Sequence, residues 1–126
     1  MTALDRAGGP ALPPAEASLS FLRQPGFTIA RLEGELDIAT IPALRERLLG
    51  VFSPGMRLLI IDLSGVSFCD VTALAALIGT QSRARGRGII FRLVAPRPQM
   101  AKLLHITGLD ESFTVCATLD DALSLT

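Results

Sequence analysis

The stretch LLIIDLSGVSFCDVTALAALIG, residues 58–79, decides the fold of this chain. It begins with an uninterrupted apolar run that ends at Asp62. A run without polar alternation is typical of a strand buried on both faces, as in parallel α/β sheets. After a short loop, apolar residues recur at helical spacing from Asp70 onward, and Asp is a favoured helix N-cap. The sequence therefore predicts a buried strand at 58–62, a loop, and a helix that runs from Asp70 to about Arg85.

The segments on either side extend this unit to the order β-β-α-β-α-β-α-β-α. The first two strands flank the turn Gln24-Pro25-Gly26, in which glycine takes the positive φ of a type II turn. The other predicted elements are strands at 19–22 and 27–32, a loop at 33–37, a helix from N-cap Thr40 to the break at 53–55, a strand at 89–94, a helix opened by 96–98 with Gly108 beyond its end, a strand at 113–116 and a final helix at 119–125 begun by a Thr118–Asp121 capping box. Alternation of this kind indicates an α/β fold with a mixed, mostly parallel sheet of about five strands and about four helices.

The composition limits the number of domains in the chain and the classes of partner that it can bind. Its 126 residues fit one domain at 18–126, preceded by a Pro-, Gly- and Ala-rich segment at 1–17 that we expect to be a flexible tail. Twelve basic and twelve acidic residues give no net charge, which argues against broad capture of nucleic acid or anionic membrane. The start lacks the features of a signal peptide, and no apolar run is long enough to insert directly into a membrane. We expect a cytoplasmic protein whose Cys69 and Cys116 are small buried hydrophobes.

The sequence carries little that would support catalysis. Its single histidine, His105, lies within a predicted helix, and no nucleophile, phosphate-loop or dinucleotide motif accompanies it. The basic run at 83–88 reads as a solvated helix end, with phosphate binding as the alternative. Asp37, Asp62 and Asp70 stand near predicted strand ends and could gather at one rim of the sheet, but their spacing is not that of metal ligands. We therefore expect no enzyme, no catalytic residue, no cofactor and no metal.

Several motifs, taken in order, resemble the STAS domain of anti-sigma-factor antagonists. They are Gly34-Glu35-Leu36-Asp37 before the first helix, residues 62–68 before Asp70, the Pro-rich start of the third helix, and residues 103–109. The resemblance spans about residues 18–126 and implies the STAS fold. It also implies a partner-switching regulator that binds an anti-sigma factor, often one with a histidine-kinase-like ATPase fold, and so frees a sigma factor. A monomer or weak homodimer is expected.

The same resemblance implies a binding surface at the loop before the second helix and its first turns. Its partner-binding residues would be Asp37, Ser67, Asp70, Val71, Thr72, Leu74 and Ala75. The family motif at this point is Asp-Ser-Ser/Thr-Gly, with the first Ser phosphorylated by a kinase-type anti-sigma factor, whereas this chain has Asp70, Val71, Thr72 and Ala73. Val71 has no hydroxyl to phosphorylate.

Two alternatives stay open at the sequence level. Thr72 is a possible substitute phosphoacceptor, or it is a threonine that satisfies local hydrogen bonds at a helix start. The chain is an anti-sigma-factor antagonist, or it is an accessory STAS subunit of a lipid-transport or other membrane-associated assembly that acts through the same helix.

Overall fold

The structure, a computed structural model, describes residues 17–124. The predicted tail lies outside the described residues except for Ala17, which opens the first strand. The elements are β1 (Ala17–Gln24), β2 (Phe27–Leu36), α1 (Ile41–Leu49), β3 (Leu58–Cys69), α2 (Val71–Gly86), β4 (Ile90–Val94), α3 (Pro98–Ile106), a short 3-10 helix (Leu109–Glu111), β5 (Thr114–Cys116) and α4 (Leu119–Ser124).

The five strands form one sheet in the order β1-β2-β3-β4-β5. The β1–β2 pair is antiparallel, and the other three pairs are parallel. This confirms the mixed, mostly parallel sheet that was predicted from the alternation of strands and helices. The hairpin turns at Pro25 and Gly26, where Gly26 takes a φ of 87°, a region that glycine enters without steric penalty.

The prediction that β2 and β3 end early was wrong. Both strands continue through segments expected to be loops, with Glu35 paired to Phe68 and Leu36 paired to Cys69. Two shifts of register absorb the extra residues, because a bulge bends a strand without ending its pairing. Glycine also permits close approach here: a Cβ at Gly65 would lie 2.7 Å from Cγ of Glu33. The Gly and polar residues that suggested loops are thus accommodated within paired strands.

Helices cover the two faces of the sheet unequally. The main core joins α1, α2 and α3 to one face, and its fully buried side chains include Leu48, Leu77 and Leu104. The opposite face carries a smaller cluster beneath α4, made by Ile29, Ile60, Val94, Cys116 and Ala122. Both cysteines are free and buried, as expected of small hydrophobes.

The buried face of α2 differs from the helical pattern that the sequence indicates, which is Val71, Leu74, Leu77, Ile78 and Gln81. Ala73, Leu74 and Leu77 are buried against the sheet, whereas Val71 and Ile78 are exposed. Buried alanines, Ala73 among them, make up part of the face that packs on the strands. The positions of the larger apolar residues alone do not indicate this face. Val71 and Ile78 are therefore free to form part of a surface.

Of the three carboxylates considered for one rim of the sheet, Asp37 and Asp70 directly follow the paired ends of β2 and β3, and Asp62 does not join them. Asp62 lies inside β3 and not at its end, because the strand continues beyond it to Cys69. Its Oδ2 accepts a hydrogen bond from Arg31 Nε at 3.2 Å, and its Oδ1 accepts from the Ser64 N–H and hydroxyl at 3.0 and 2.8 Å. Burial raises the pKa of Asp62, but these hydrogen bonds and the Arg31 charge outweigh it, so the pKa lies below its ordinary value.

Because the Asp62 pKa is lowered by folding, its contribution to stability has a defined pH dependence. The stabilisation is present above the unfolded pKa and is lost as pH falls through the folded value. We expect Asp62→Asn to be less stable than wild type at neutral pH, with the difference shrinking in acid below about pH 4. Urea unfolding of both proteins across this range tests it. A free-energy difference that stays constant from neutral to acidic pH would contradict the prediction.

Candidate functional site

Asp70 joins the start of α2 to the end of β2. Its backbone is extended, and its Oδ1 accepts hydrogen bonds from the N–H groups of Thr72 at 2.9 Å and Ala73 at 3.2 Å. Its own N–H donates to the carbonyl of Leu36 at 3.0 Å. The predicted N-cap is confirmed, and it fixes the first turn of α2 beside the segment that follows β2.

Loss of this cap should be measurable as lost stability. Asp70→Ala leaves the Thr72 and Ala73 N–H groups without their side-chain acceptor, and we expect a decrease of about 1 kcal/mol in the free energy of unfolding. Asp70→Asn keeps an acceptor oxygen and is the matched control, expected close to wild type. Urea denaturation of the three proteins tests this. Equal losses in both variants would show that charge, and not the cap, is what Asp70 supplies.

A second turn, between β2 and α1, lies beside this junction. Oδ1 of Asp37 accepts from the N–H groups of Ala39 at 3.0 Å and Thr40 at 3.1 Å. Thr40 takes the N-cap position as predicted, but its side chain makes no capping bond and its hydroxyl donates to the Glu35 carbonyl at 2.8 Å. The turn holds Ile38 outward, where it is 74% exposed.

The structure separates the seven predicted partner-binding residues into three groups by burial. Ser67, Val71 and Ala75 are exposed, and Asp37, Asp70 and Thr72 are half-buried. Leu74 is 2% exposed and belongs to the core between α2 and the sheet. Its inclusion in a binding surface was wrong, because its side chain is turned toward the strands.

Two exposed apolar residues near Asp70 were missed from the sequence. Phe68 lies two residues before Asp70, and Ile38 lies two residues beyond Leu36, which accepts the Asp70 N–H. Val71, 63% exposed, follows Asp70 directly, and we call these three exposed residues of the segments that meet at Asp70 the Asp70 patch: Ile38, Phe68 and Val71. Along α2, Ala75 and Ile78 continue the exposed side that Val71 begins, at i+4 and i+7. Grouped exposed apolar side chains mark interaction sites more often than isolated ones do.

Thr72 is held at the helix start through its backbone. Its N–H donates to Asp70, and none of the hydrogen bonds found within residues 17–124 uses its hydroxyl. The interpretation in which this hydroxyl satisfies local hydrogen bonds gains no support from these contacts. Phosphorylation of Thr72 stays a prediction.

Cys69 and His105, two residue types that often carry chemistry, lie in contrasting environments. Burial, with a smaller effect of Asp70, raises the pKa of Cys69 to about 12, so its thiol stays protonated and unreactive. The side chain of His105 is largely exposed on α3, as expected, with Nδ1 3.0 Å from Oδ2 of Asp110. Among residues 17–124 there is no cluster of three metal-ligating side chains. None of the described helices has the length and apolar character needed to cross a membrane.

Comparison with known proteins agrees with the fold. The family model described as STAS domain matches residues 18–122. The anti-sigma-F factor antagonist RsfB of Mycobacterium tuberculosis is 33% identical over 99 residues, which are 79% of this chain and 80% of RsfB. The anti-sigma-B factor antagonist of Staphylococcus aureus is 30% identical over 88 residues, 70% of this chain and 82% of that protein.

A solved structure gives the same result in three dimensions. The crystal structure of an anti-sigma factor antagonist from Mycobacterium paratuberculosis superimposes with a TM-score of 0.81 at 33% identity. The match covers 89% of this chain and 95% of that chain. The two chains therefore share this fold over most of their lengths.

Proposed function

The chain belongs to the STAS-domain family, and from this premise we propose that it acts as an anti-sigma-factor antagonist, binding an anti-sigma factor through the Asp70 patch. The observation that carries the proposal is the group of exposed apolar side chains around the α2 N-terminus. It is supported by relatives at 30% identity or more whose names state this role. Occupation of the anti-sigma factor by this chain frees the sigma factor.

The Asp70 patch offers exposed apolar side chains on backbone segments that hydrogen bonds hold in place. The carboxylates of Asp70 and Asp37 accept hydrogen bonds from nearby backbone N–H groups, which fixes the turns that carry Val71 and Ile38. A rigid apolar group loses little conformational entropy on binding, so more of its burial appears as affinity. Full burial of one such side chain contributes about 1.5–3 kcal/mol, which overlaps the lower end of the range for interface hot spots.

The finer features of this role follow from the family resemblance. We propose an anti-sigma factor with a histidine-kinase-like ATPase fold, bound by one copy of this chain in the cytoplasm. In this role the chain supplies a surface and catalyses no reaction. Transcription responds because the anti-sigma factor cannot hold the sigma factor and this chain at the same time.

The binding surface is tested by a charge placed at Val71. We expect Val71→Glu to weaken binding of the purified cognate anti-sigma factor about 100-fold, equivalent to about 2.7 kcal/mol, because the carboxylate must lose its water in the interface. The matched control is Ile106→Glu, which changes an equally exposed apolar residue (68% against 63%) on α3. Calorimetric titration gives both affinities, and circular dichroism confirms that both variants are folded. Equal affinities of the two variants would remove the Asp70 patch from the interface.

Release of the sigma factor is tested separately. Adding the wild-type protein to a preformed complex of anti-sigma and sigma factor should liberate free sigma factor, detected by size-exclusion chromatography. Val71→Glu should release far less at the same concentration. If wild type bound to the complex and the complex stayed intact, the result would contradict antagonism. It would show that the protein binds the anti-sigma factor without displacing the sigma factor.

A further inference from the structure

The charges of this chain are separated between the two ends of the sheet. Glu33, Glu35, Asp37 and Asp70 lie in the last residues of β2 or directly after β2 and β3, at the carboxyl ends of the parallel strands. The helices that follow these strands run back, so the last turns of α1 and α2 lie near the residues that lead into β2, β3 and β4. Six exposed arginines lie at this second end, which we call the arginine end: Arg23, Arg47, Arg57, Arg83, Arg85 and Arg87.

Contacts between neighbouring elements hold part of the arginine end together. Nη1 of Arg23 donates to a backbone carbonyl of the loop after α1 at 2.8 Å. The guanidinium carbons of Arg23 and Arg47 lie 5.1 and 5.9 Å from the centre of the Phe21 ring. Arg87 lies over the ring of Phe52 in the same way, at 5.3 Å. Cation–π contacts of this kind fix the position of a guanidinium group without neutralising its charge.

Few carboxylates oppose these cations. Glu46, in the last turn of α1, and Asp110 and Glu111, between α3 and β5, are the acidic residues of the described chain at the same end. Asp110 already pairs with His105, at 3.0 Å. No ion pair between residues 17–124 includes an arginine of the arginine end. Positive charge is therefore in excess here, although the whole chain has no net charge.

We propose that the arginine end binds the surface of a bilayer rich in anionic phospholipid. Guanidinium groups bind phosphate oxygens through paired charge-assisted hydrogen bonds, and each cation close to such a surface favours the bound state about fivefold. Leu49, the last residue of α1, is 39% exposed, and Ile90, the first residue of β4, is 47% exposed. Apolar side chains beside cations add to the attraction at a lipid interface.

The same residues favour a lipid surface over a nucleic acid. Single-stranded nucleic acids are held by bases stacked on open aromatic rings. Phe21 and Phe52, the phenylalanines in contact with these arginines, are half-buried and each already has an arginine against its ring. The apolar side chains that remain exposed at this end are aliphatic, and lipid can contact them.

Binding in this orientation would leave the Asp70 patch free. The patch lies at the carboxyl ends of β2 and β3, and the arginine end lies where these strands begin. A protein held by its arginine end therefore presents the Asp70 patch away from the bilayer. The inference does not depend on the proposed function, because the two surfaces use different residues.

Vesicle sedimentation tests the proposal with the wild-type protein. Vesicles of equal parts phosphatidylglycerol and phosphatidylcholine should sediment the protein in about 50 mM NaCl, and vesicles of phosphatidylcholine alone should not. Binding should fall at least tenfold in about 0.5 M NaCl, because salt screens the attraction. No sedimentation, or equal sedimentation with both kinds of vesicle, would overturn the proposal. Tighter binding to single- or double-stranded DNA than to the anionic vesicles would also overturn it and assign the arginine end to nucleic acid.

Paired variants test the location of the binding charges. The double variant Arg83→Gln, Arg85→Gln should bind anionic vesicles about 30-fold more weakly, which corresponds to two factors of about five. The matched control Arg97→Gln, Lys102→Gln removes two exposed charges before and within α3, outside the arginine end, and should change binding no more than about twofold. Circular dichroism checks that both proteins are folded. Equal losses in the two double variants would overturn the assignment to the arginine end.

A fluorescent label reports which end of the protein meets the bilayer. Ser53 is exposed in the loop after α1, at the arginine end, and Ala39 is exposed in the turn after β2, at the other end. Cys69 and Cys116 are buried, so a thiol-reactive, environment-sensitive dye should label Ser53→Cys and Ala39→Cys selectively. Anionic vesicles should shift the emission of the label at position 53 to the blue and leave the label at position 39 unchanged. A shift at position 39 and none at position 53 would overturn the proposal.

Discussion

Leu74→Glu is expected to lose more than 4 kcal/mol of folding free energy, enough to unfold much of the population of a domain with typical stability. Leu74 is 2% exposed and packs in the core between α2 and the sheet. Removing a buried leucine side chain alone lowers stability by about 2–5 kcal/mol. The glutamate adds the burial of a carboxylate with no partner, which proteins tolerate only by neutralising or exposing it.

The neighbouring residue provides the control for this prediction. Ala75 follows Leu74 on the same helix but is exposed, so Ala75→Glu should change stability by no more than about 0.5 kcal/mol. Urea denaturation followed by circular dichroism measures both. If Leu74→Glu folded with nearly wild-type stability, the position of α2 on the sheet would have to be revised. Loss of partner binding in Leu74→Glu would therefore report unfolding and not a lost contact, whereas Ala75→Glu probes the surface directly.

Elements with a local sequence signal were predicted correctly. The apolar run at the start of β3, the cap at Asp70 and the glycine beyond α3 act through their immediate neighbours, so their chemistry is visible in a short window. Gly108 takes a φ of 77° just beyond α3, as its predicted position requires. These features were enough to fix the order of the elements and the mixed sheet.

Features that depend on pairing across the sheet were not predicted. The continuation of β2 and β3 rests on each strand supplying hydrogen bonds to the other through two bulges, and neither segment shows a strand pattern by itself. The burial of Leu74 and the exposure of Val71 depend on how α2 is rotated on the strands, which its own sequence pattern does not fix. Tertiary contacts of this kind override local periodicity.

The residues that surround Asp70 in the structure agree only in part with those named from the sequence. The resemblance to the STAS domain placed Asp37, Asp70 and Val71 at one corner, and the described structure brings them there. Ile38 and Phe68 were missed because an apolar residue is assigned to the core by default, and no sequence pattern distinguishes one left exposed beside a polar turn. Exposure of these two side chains became apparent only from the turn geometry at Asp37 and the register of β3.

The switch expected of the family should be absent in wild type and restored by a single substitution at Val71. Val71 is the first residue of α2 and is 63% exposed, in the position where the family motif has a serine. A phosphate there would lie beside Asp70, whose carboxylate already accepts the Thr72 and Ala73 N–H groups. It would place two negative charges in the Asp70 patch, next to another anion. We expect such a group to act by weakening the partner contact rather than by unfolding the helix, since helix N-termini tolerate anions well.

Incubation with the cognate anti-sigma factor and ATP, followed by intact-mass measurement, tests this. Wild type should gain no phosphoryl group, Val71→Ser should gain one, and Val71→Ala should gain none, which controls for the loss of the valine side chain. Phosphorylated Val71→Ser should then bind the anti-sigma factor about 100-fold more weakly than its unmodified form, a change of about 2.7 kcal/mol. A stoichiometric phosphate on wild type, mapped to Thr72, would contradict the prediction and make Thr72 the acceptor. The expected result leaves wild type permanently able to bind, because Val71 offers an apolar contact where a relative with serine can place a charge.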